Sequence, residues 1–199
     1  MKATSDKYLR CTKEVPDMTA QNDTKCVNKS SVKSQFACNC LLFLNDETES
    51  IPLRLAIELL FSFGARISEV LNITGTDILP NNQILLKGLK GSNNRIIYSS
   101  FFTEYIKRFK GYQIKLFNGF DRFYIYRTLK KHNIFIPAIH SNRNKVTHAF
   151  RSNYVNLLYD QTHDISTVSS IIGHKVKKNT VIYLNEKNKK DLQQRKCVD

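Results

Sequence analysis

The apolar and polar positions of the chain predict a mainly helical domain that begins at Ile51. From Ile51 to Ala65 the apolar residues recur at helical spacing, and Gly64 is expected to end or bend this helix. A second helix is expected just after it, where Arg66 and Glu69 are three residues apart. Further helices are expected over 101–116, over 121–132, and after caps at Thr147, Asp164 and Thr180.

Two short runs of β-favouring residues, 83–87 and 95–99, interrupt the helical pattern. The seven residues between them are rich in Gly, Ser and Asn, which turns prefer. This pattern predicts an antiparallel hairpin with Lys90 at its tip or edge. The predicted fold class is therefore α+β: mainly α-helical, with a small antiparallel β-hairpin.

The two ends of the chain are polar and lack a strong apolar pattern. We predict a loosely ordered leader over 1–50, one domain over 51–184 and a helix-compatible tail over 185–199. The five cysteines are irregularly spaced, which favours reduced thiols in an intracellular compartment over a disulfide framework. The spacing of Cys26, Cys38 and Cys40 does not match the common zinc patterns, so no metal site is expected there.

Positive charge is concentrated in the predicted domain and tail. The chain has 199 residues and a formal net charge of +14. Residues 1–50 contain seven Lys or Arg and seven Asp or Glu, whereas residues 51–199 contain twenty-four and ten and carry the whole excess. This distribution favours a polyanionic partner, with nucleic acid first and an anionic membrane surface second. The most apolar stretch contains Arg54 and Glu58, so no membrane-spanning segment is expected.

Residues suited to phosphate chemistry are gathered near the C-terminal end of the predicted domain. His148 and Arg151 are three residues apart, which places them on one face of a helix, and Tyr183 comes nine residues after His174. Imidazoles transfer protons near neutral pH, and guanidiniums bind phosphate oxygens through a planar fork of donors. A tyrosine can attack a phosphodiester and hold it as an ester, so that rejoining requires neither ATP nor a metal. The segment therefore predicts that Tyr183 attacks a phosphate held by its neighbours.

Two upstream residues are candidates for the same site, although each has an ordinary structural explanation when considered alone. Arg66 could be a second phosphate-binding guanidinium, or it could simply pair with Glu69 on a solvated helix face. Lys90 could protonate a leaving oxygen, or it could be a solvated turn lysine.

The order and spacing of these segments resemble the catalytic domain of the tyrosine recombinase (phage integrase) family. GARISEVLNI resembles the first-arginine motif of that family, and LKGLKGSNNRIIY resembles its hairpin lysine motif. THAFRSNYV resembles its His-x-x-Arg motif, and IIGHKVKKNTVIY resembles its Gly-His motif followed by the tyrosine. Six positions match in order across residues 53–184, which is a far more specific signal than any one motif.

The resemblance implies a catalytic set of Arg66, Lys90, His148, Arg151, His174 and Tyr183, with Glu69 in support. Tyr183 would attack the scissile phosphate and form a 3′-phosphotyrosine, while the two arginines clamp that phosphate. His148 would act as acid and base, His174 would hydrogen-bond a non-bridging oxygen, and Lys90 would protonate the leaving 5′ oxygen. Lys87 is the alternative residue for this lysine role.

The partner implied by the resemblance is double-stranded DNA, bound by a homo-oligomer (a tetramer), without a cofactor and without a membrane. The tail over 185–199 could dock on a neighbouring protomer. Two alternatives remain open: a type IB-like topoisomerase, which relaxes DNA with the same chemistry, and a non-catalytic DNA-binding relative. Surface contacts with DNA are expected from Lys87, Arg95, Lys175, Lys177 and Lys178.

Overall fold

The computed structural model describes residues 29–89, 92–99, 102–134 and 143–196. Within these ranges the chain is mainly α-helical and contains two short strands. The elements are α1 (Lys29–Asn45), α2 (Ile51–Phe63), α3 (Ile67–Leu71), β1 (Gln83–Leu86), β2 (Arg95–Tyr98), α4 (Thr103–Lys107), α5 (Arg122–Lys131), α6 (Arg143–Thr162), α7 (Ile165–Ile172), α8 (Lys178–Val181) and α9 (Glu186–Lys196).

The two strands form the predicted hairpin. They pair antiparallel, with Gln83 opposite Tyr98 and Leu86 opposite Arg95. Ile84 and Leu86 of β1 and Ile97 of β2 are buried on one face of the hairpin. The predicted fold class, mainly helical with a small antiparallel sheet, is confirmed.

Helix α2 lies at the centre of the larger hydrophobic core. It packs against α1, α3 and α6, and it is buried from Leu53 to Leu60 except at one half-buried position. Glu58, although charged, faces this core, and its Oε2 accepts a hydrogen bond of 2.6 Å from the hydroxyl of Ser99. The end of the hairpin is thereby attached to α2.

The prediction that residues 1–50 are a loosely ordered leader is wrong for residues 29–45, which form helix α1. Phe36, Cys40, Phe43 and Leu44 are buried in the main core, where an apolar side chain of this size typically contributes about 1.5–3 kcal/mol. Their spacing of four, three and one is that of one helix face, so the sequence carried the signal. Cys40 is a buried free thiol, and Cys26 lies outside the described residues.

The predicted helix ends at Gly64 and Gly173 and the predicted helix start at Asp164 are confirmed. Gly64 has φ of 57° and ends α2, and Gly173 has φ of 78° and ends α7, in the left-handed region that favours glycine. Asp164 caps α7 by accepting hydrogen bonds from the backbone N–H groups of Ser166 and Thr167. Both glycines thus fix sharp turns one or two residues before candidate site residues.

Three predicted helix limits are wrong. Helix α6 begins at Arg143, so Thr147 lies inside it rather than at its start. Thr180 lies inside α8, where its hydroxyl contacts a histidine instead of capping the helix. The helix predicted over 101–116 is limited to Thr103–Lys107 in the described residues, because turns follow it up to the left-handed Gly111.

The tail forms α9, which docks on α6 of the same chain. Leu192 is buried in a second core cluster together with Val155 and Tyr159. Asp191 accepts hydrogen bonds from the Tyr159 hydroxyl at 3.0 Å and from Arg195 Nε at 2.9 Å. Docking of the tail on a neighbouring protomer stays a prediction. None of the described helices has the length and apolar character needed to cross a membrane.

Candidate active site

Five of the six predicted catalytic residues converge in the structure. Arg66 comes from the link between α2 and α3, His148 and Arg151 from α6, His174 from the turn after α7 and Tyr183 from the turn after α8. A cavity of about 290 Å³ has Arg66, His148 and Arg151 in its lining. The sixth residue, Lys90, lies outside the described residues.

Arg151 is the structural centre of this site. Its side chain is only 1% exposed, and its Nη1 donates to the carbonyl of Gly64 at 2.7 Å. Its Nη2 donates to the carbonyl of Ile172 at 3.1 Å and faces His174 Nε2 at 2.9 Å. Burial, together with the charges of Arg66 and Arg95, lowers the pKa of Arg151 to about 9, so it stays protonated at neutral pH. The guanidinium therefore connects the end of α2 with the end of α7. It also places a buried positive charge in the site.

His174 supports Arg151 in this arrangement. Its Nε2 accepts from Arg151, and its Nδ1 donates to the hydroxyl of Thr180 at 2.8 Å. Burial, followed by the charges of Arg151 and Arg66, lowers the pKa of His174 to about 4, which keeps the imidazole neutral. A hydrogen bond from His174 to a phosphate oxygen stays a prediction, since it would require Nε2 to release Arg151 and carry a proton.

Tyr183 and His148 are in direct contact. The Tyr183 hydroxyl lies 3.1 Å from His148 Nδ1. The Tyr183 ring stacks near both imidazoles, with centroid distances of 6.0 Å to His148 and 5.8 Å to His174. Partial burial, then the charges of Arg151, Arg66 and Arg122, lowers the pKa of His148. A neutral His148 can accept the phenolic proton, so this pair has the geometry of a nucleophile and its base.

Two residues of α6 that the motifs did not indicate hold the backbone of Tyr183. The hydroxyl of Ser152 and Nδ2 of Asn156 both donate to the Tyr183 carbonyl at 2.9 Å. Oδ1 of Asn156 accepts from the N–H of Asn185 at 2.8 Å and from Asn188 Nδ2 at 3.1 Å. The buried amide of Asn156 thus connects the tyrosine to the first turn of α9.

Glu69 binds both Arg66 and Arg95. It is 2% exposed and accepts hydrogen bonds from the backbone N–H of Arg66 at 2.9 Å and from Arg66 Nη1 at 2.7 Å. Arg66 Nη1 also donates to the hydroxyl of Ser92 at 2.8 Å. Burial alone would raise the pKa of Glu69, but the hydrogen bond and charge of Arg95 and the hydrogen bonds from Arg66 hold it below its usual value. Glu69 is therefore an ionised support for Arg66.

The position of Arg95 differs from the predicted DNA contact. Its side chain is 7% exposed, and its Nη2 donates to Glu69 Oε2 at 2.8 Å. The guanidinium is turned inward because the buried carboxylate of Glu69 attracts it. We therefore assign Arg95 to the support of Glu69 and no longer to the DNA-facing surface.

The predicted surface lysines remain accessible. Lys87 pairs with Asp77 at 2.6 Å, yet 59% of its side chain is exposed. Lys175, Lys177 and Lys178 are exposed in the segment between His174 and Tyr183. Their contact with DNA stays a prediction.

Arg122 is a further cation at the site that the motifs did not indicate. It is the first residue of α5, it lines the same cavity as Arg66 and Arg151, and its charge acts on His148. The only sequence signal for Arg122 was that it is one of the basic residues within 121–132. Its location depends on how α5 packs on α6.

Comparison with known proteins identifies relatives of most of the described region. Residues 36–190 match the Phage integrase family. A probable integrase/recombinase of Acholeplasma phage L2 is 29% identical over 167 residues, covering 77% of this chain and 55% of that protein. The chain thus spans little more than half the length of this curated relative.

Two solved structures share the fold. The crystal structure of XerA recombinase gives a TM-score of 0.58 at 17% identity, covering 89% of this chain and 66% of that one. XerH site-specific recombinase, in a post-cleavage complex with a palindromic difH substrate, gives a TM-score of 0.55 at 20% identity, covering 80% of this chain and 48% of that one.

The family match extends from the middle of α1 to the tail helix and includes all the residues that line the candidate site. It also begins within residues 1–50, consistent with α1 being part of the domain. The resemblance drawn from four motifs is confirmed by this match. The chain belongs to the phage integrase family.

Proposed function

We propose that this chain is a site-specific DNA strand transferase in which Tyr183 attacks a phosphodiester. The observation that carries the proposal is the 3.1 Å contact between the Tyr183 hydroxyl and His148 Nδ1 beside a cavity lined by Arg66 and Arg151. A nucleophile, a neutral base and two guanidiniums can supply attack on the phosphate, removal of the phenolic proton and stabilisation of the charge on the phosphate oxygens.

In the proposed step, the Tyr183 proton passes to His148 as the phenolic oxygen bonds to phosphorus. The bond from phosphorus to the 5′ oxygen breaks, which leaves a 3′-phosphotyrosine and a 5′ hydroxyl. Arg66 and Arg151 stabilise the charge on the non-bridging oxygens. Lys90 is the proposed donor of the proton to the leaving 5′ oxygen. A 5′ hydroxyl can then attack the ester and reverse the step, since the ester conserves the phosphodiester linkage.

We propose that the reaction is independent of metal ions. None of the described residues that line the cavity is a carboxylate. The neighbouring carboxylate, Glu69, is already bound by two guanidiniums. Metal-assisted phosphoryl transfer uses oxygen ligands, mainly carboxylates, whereas this cavity offers cations. Cleavage that survives chelation with EDTA would agree with this proposal, and complete loss would contradict it.

Covalent capture tests the proposed function. A duplex nicked just beyond the cleavage point releases a short fragment, so the protein stays attached to the 3′ end. We expect attachment with release of a 5′ hydroxyl at a defined site, and we expect several copies to assemble on paired sites. Relaxation of any supercoiled plasmid without site preference would instead favour a type IB-like topoisomerase.

The pH dependence of attachment should report His148. Its pKa lies below the usual 6.5, so the imidazole stays neutral and able to accept a proton until the pH falls below that value. We expect attachment rates to fall as the pH is lowered through the folded pKa of His148, with a midpoint below 6.5. A midpoint clearly above 6.5 would contradict this assignment.

Replacing Asn156 by alanine should slow the attachment reaction of Tyr183 and also destabilise the folded chain. Loss of the amide removes one of two hydrogen bonds to the Tyr183 carbonyl. We expect attachment at saturating DNA to slow about tenfold, because misplacing a reacting group reduces its rate. The free energy of unfolding should fall by about 2 kcal/mol. The matched control is Asn153→Ala on the same helix, and an unchanged attachment rate for Asn156→Ala would limit this residue to a structural role.

A further inference from the structure

A second groove adjoins the candidate active site. It has a volume of about 410 Å³, and it shares Ser68 and Arg122 with the lining of the first cavity. Its other polar lining comes from Asn72, Lys115, Asn118 and Asp121, and Leu71, Phe117 and Phe120 complete it. Because the two share a wall, an extended molecule could lie in both without leaving the protein surface. We call the second one the Lys115–Arg122 groove.

The polar groups of this groove suit the oxygens of a sugar–phosphate backbone. Lys115 and Arg122 are exposed cations, and Asn72, Asn118 and Ser68 offer neutral hydrogen-bonding groups. Lys115 Nζ donates to Asn72 Oδ1 at 3.3 Å, so the contact partner of the ammonium is a neutral amide rather than a carboxylate.

One carboxylate lines the groove, and it has another partner. Oδ1 of Asp121 accepts a hydrogen bond of 2.6 Å from the backbone N–H of Tyr124, as the cap of α5. Two cations and one anion leave the groove with a net positive charge. Such a surface favours a phosphate, with its position set by charge-assisted hydrogen bonds.

We propose that the Lys115–Arg122 groove binds a phosphate next to the reacting phosphate on the same DNA strand, with Arg122 between the two. The proposal rests on the proposed function, since it takes the first cavity as the site of the reacting phosphate. Arg122 suits this place because a guanidinium has five N–H donors and can contact two neighbouring anions. The strand would then leave the active site across Ser68 towards Lys115.

The test removes the charge of one DNA phosphate at a time. Two modified duplexes each carry one uncharged methylphosphonate, at one or the other phosphate flanking the cleavage point. Binding to these and to unmodified DNA is measured for the full chain and for Arg122→Gln and Lys115→Gln. On unmodified DNA we expect each variant to bind about tenfold more weakly and the salt dependence to become shallower. On the duplex that lacks the charge of the bound phosphate, Lys115→Gln should weaken binding less than about twofold. Arg122→Gln should weaken binding there less than it does on unmodified DNA, because its contact with the reacting phosphate remains. The matched control, Arg127→Gln, is on the same helix but lines neither cavity, and it should bind like the unsubstituted chain.

The outcomes separate this inference from the proposed function. Equal losses for Arg122→Gln on every duplex would overturn the groove assignment, as would no loss on unmodified DNA. Covalent capture of the unsubstituted chain, measured in parallel, tests the proposed function independently. If the unsubstituted chain is captured but the substitutions weaken binding equally on all duplexes, only the groove proposal is contradicted. If the chain neither binds DNA nor is captured, the groove proposal and the proposed function are both contradicted.

Discussion

Replacing Tyr183 by phenylalanine is expected to abolish covalent attachment to DNA and to leave non-covalent binding nearly unchanged. The substitution removes one oxygen and leaves the ring, which stacks near His148 and His174. Without a nucleophile the attachment rate should fall by at least about a thousandfold. Capture on a nicked duplex measures attachment, and a gel-shift titration on an intact duplex measures binding.

The matched control for this prediction is Tyr112→Phe. Tyr112 is 59% exposed and lies outside the cavity, so its loss of a hydroxyl should leave attachment intact. Attachment by Tyr183→Phe at the rate of the unsubstituted chain would show that another residue is the nucleophile. If Tyr183→Phe loses DNA binding together with attachment, the loss of attachment would come from a displaced ring and not from the missing hydroxyl.

Replacing Glu69 by glutamine is expected to destabilise the domain by about 3 kcal/mol. The buried Arg95 depends on this carboxylate, since among the described residues its Nε and Nη1 have no hydrogen-bond partner. Glutamine keeps the shape of Glu69 but leaves a buried guanidinium without a counter-charge. Arg66 would also lose its counter-charge, so attachment should slow as well. Chemical denaturation at neutral pH measures the free energy of unfolding.

The pH dependence gives this prediction a second test. The pKa of Glu69 is lower in the folded chain than its usual 4.5, so its stabilising effect is present above that pH and is lost as the pH falls through the folded value. The stability difference between the two proteins should therefore shrink in acid. Glu104→Gln, which removes an exposed pair with Lys107, should cost less than about 1 kcal/mol. Equal losses for Glu69→Gln and Glu104→Gln would contradict the supporting role of Glu69.

The sequence was sufficient for the features that local rules or motif order determine. Gly64, Gly173 and Asp164 end or begin helices as their chemistry requires. The motif order led to the family, and the hairpin strands lie within one residue of the predicted limits. Helix α1 could also have been predicted from the spacing of Phe36 and the apolar residues after it.

Other features depend on contacts between distant parts of the chain. Arg95 could not be told from a surface cation, because its burial requires Glu69, twenty-six residues earlier in the chain. The role of Asn156 depends on the carbonyl of Tyr183, which is brought to it by two intervening helices. Arg122 joins the cavity only because α5 packs on α6. In each case the partner is fixed by tertiary packing rather than by local spacing.

Mass spectrometry of the captured complex tests the central claim most directly. After capture on a nicked duplex, digestion by a protease and a nuclease leaves a nucleotide on one peptide. We predict that this peptide contains Tyr183, that the nucleotide is joined to the phenolic oxygen, and that the linkage is to a 3′ phosphate. A nucleotide on any other residue, or a linkage through a 5′ phosphate, would contradict it.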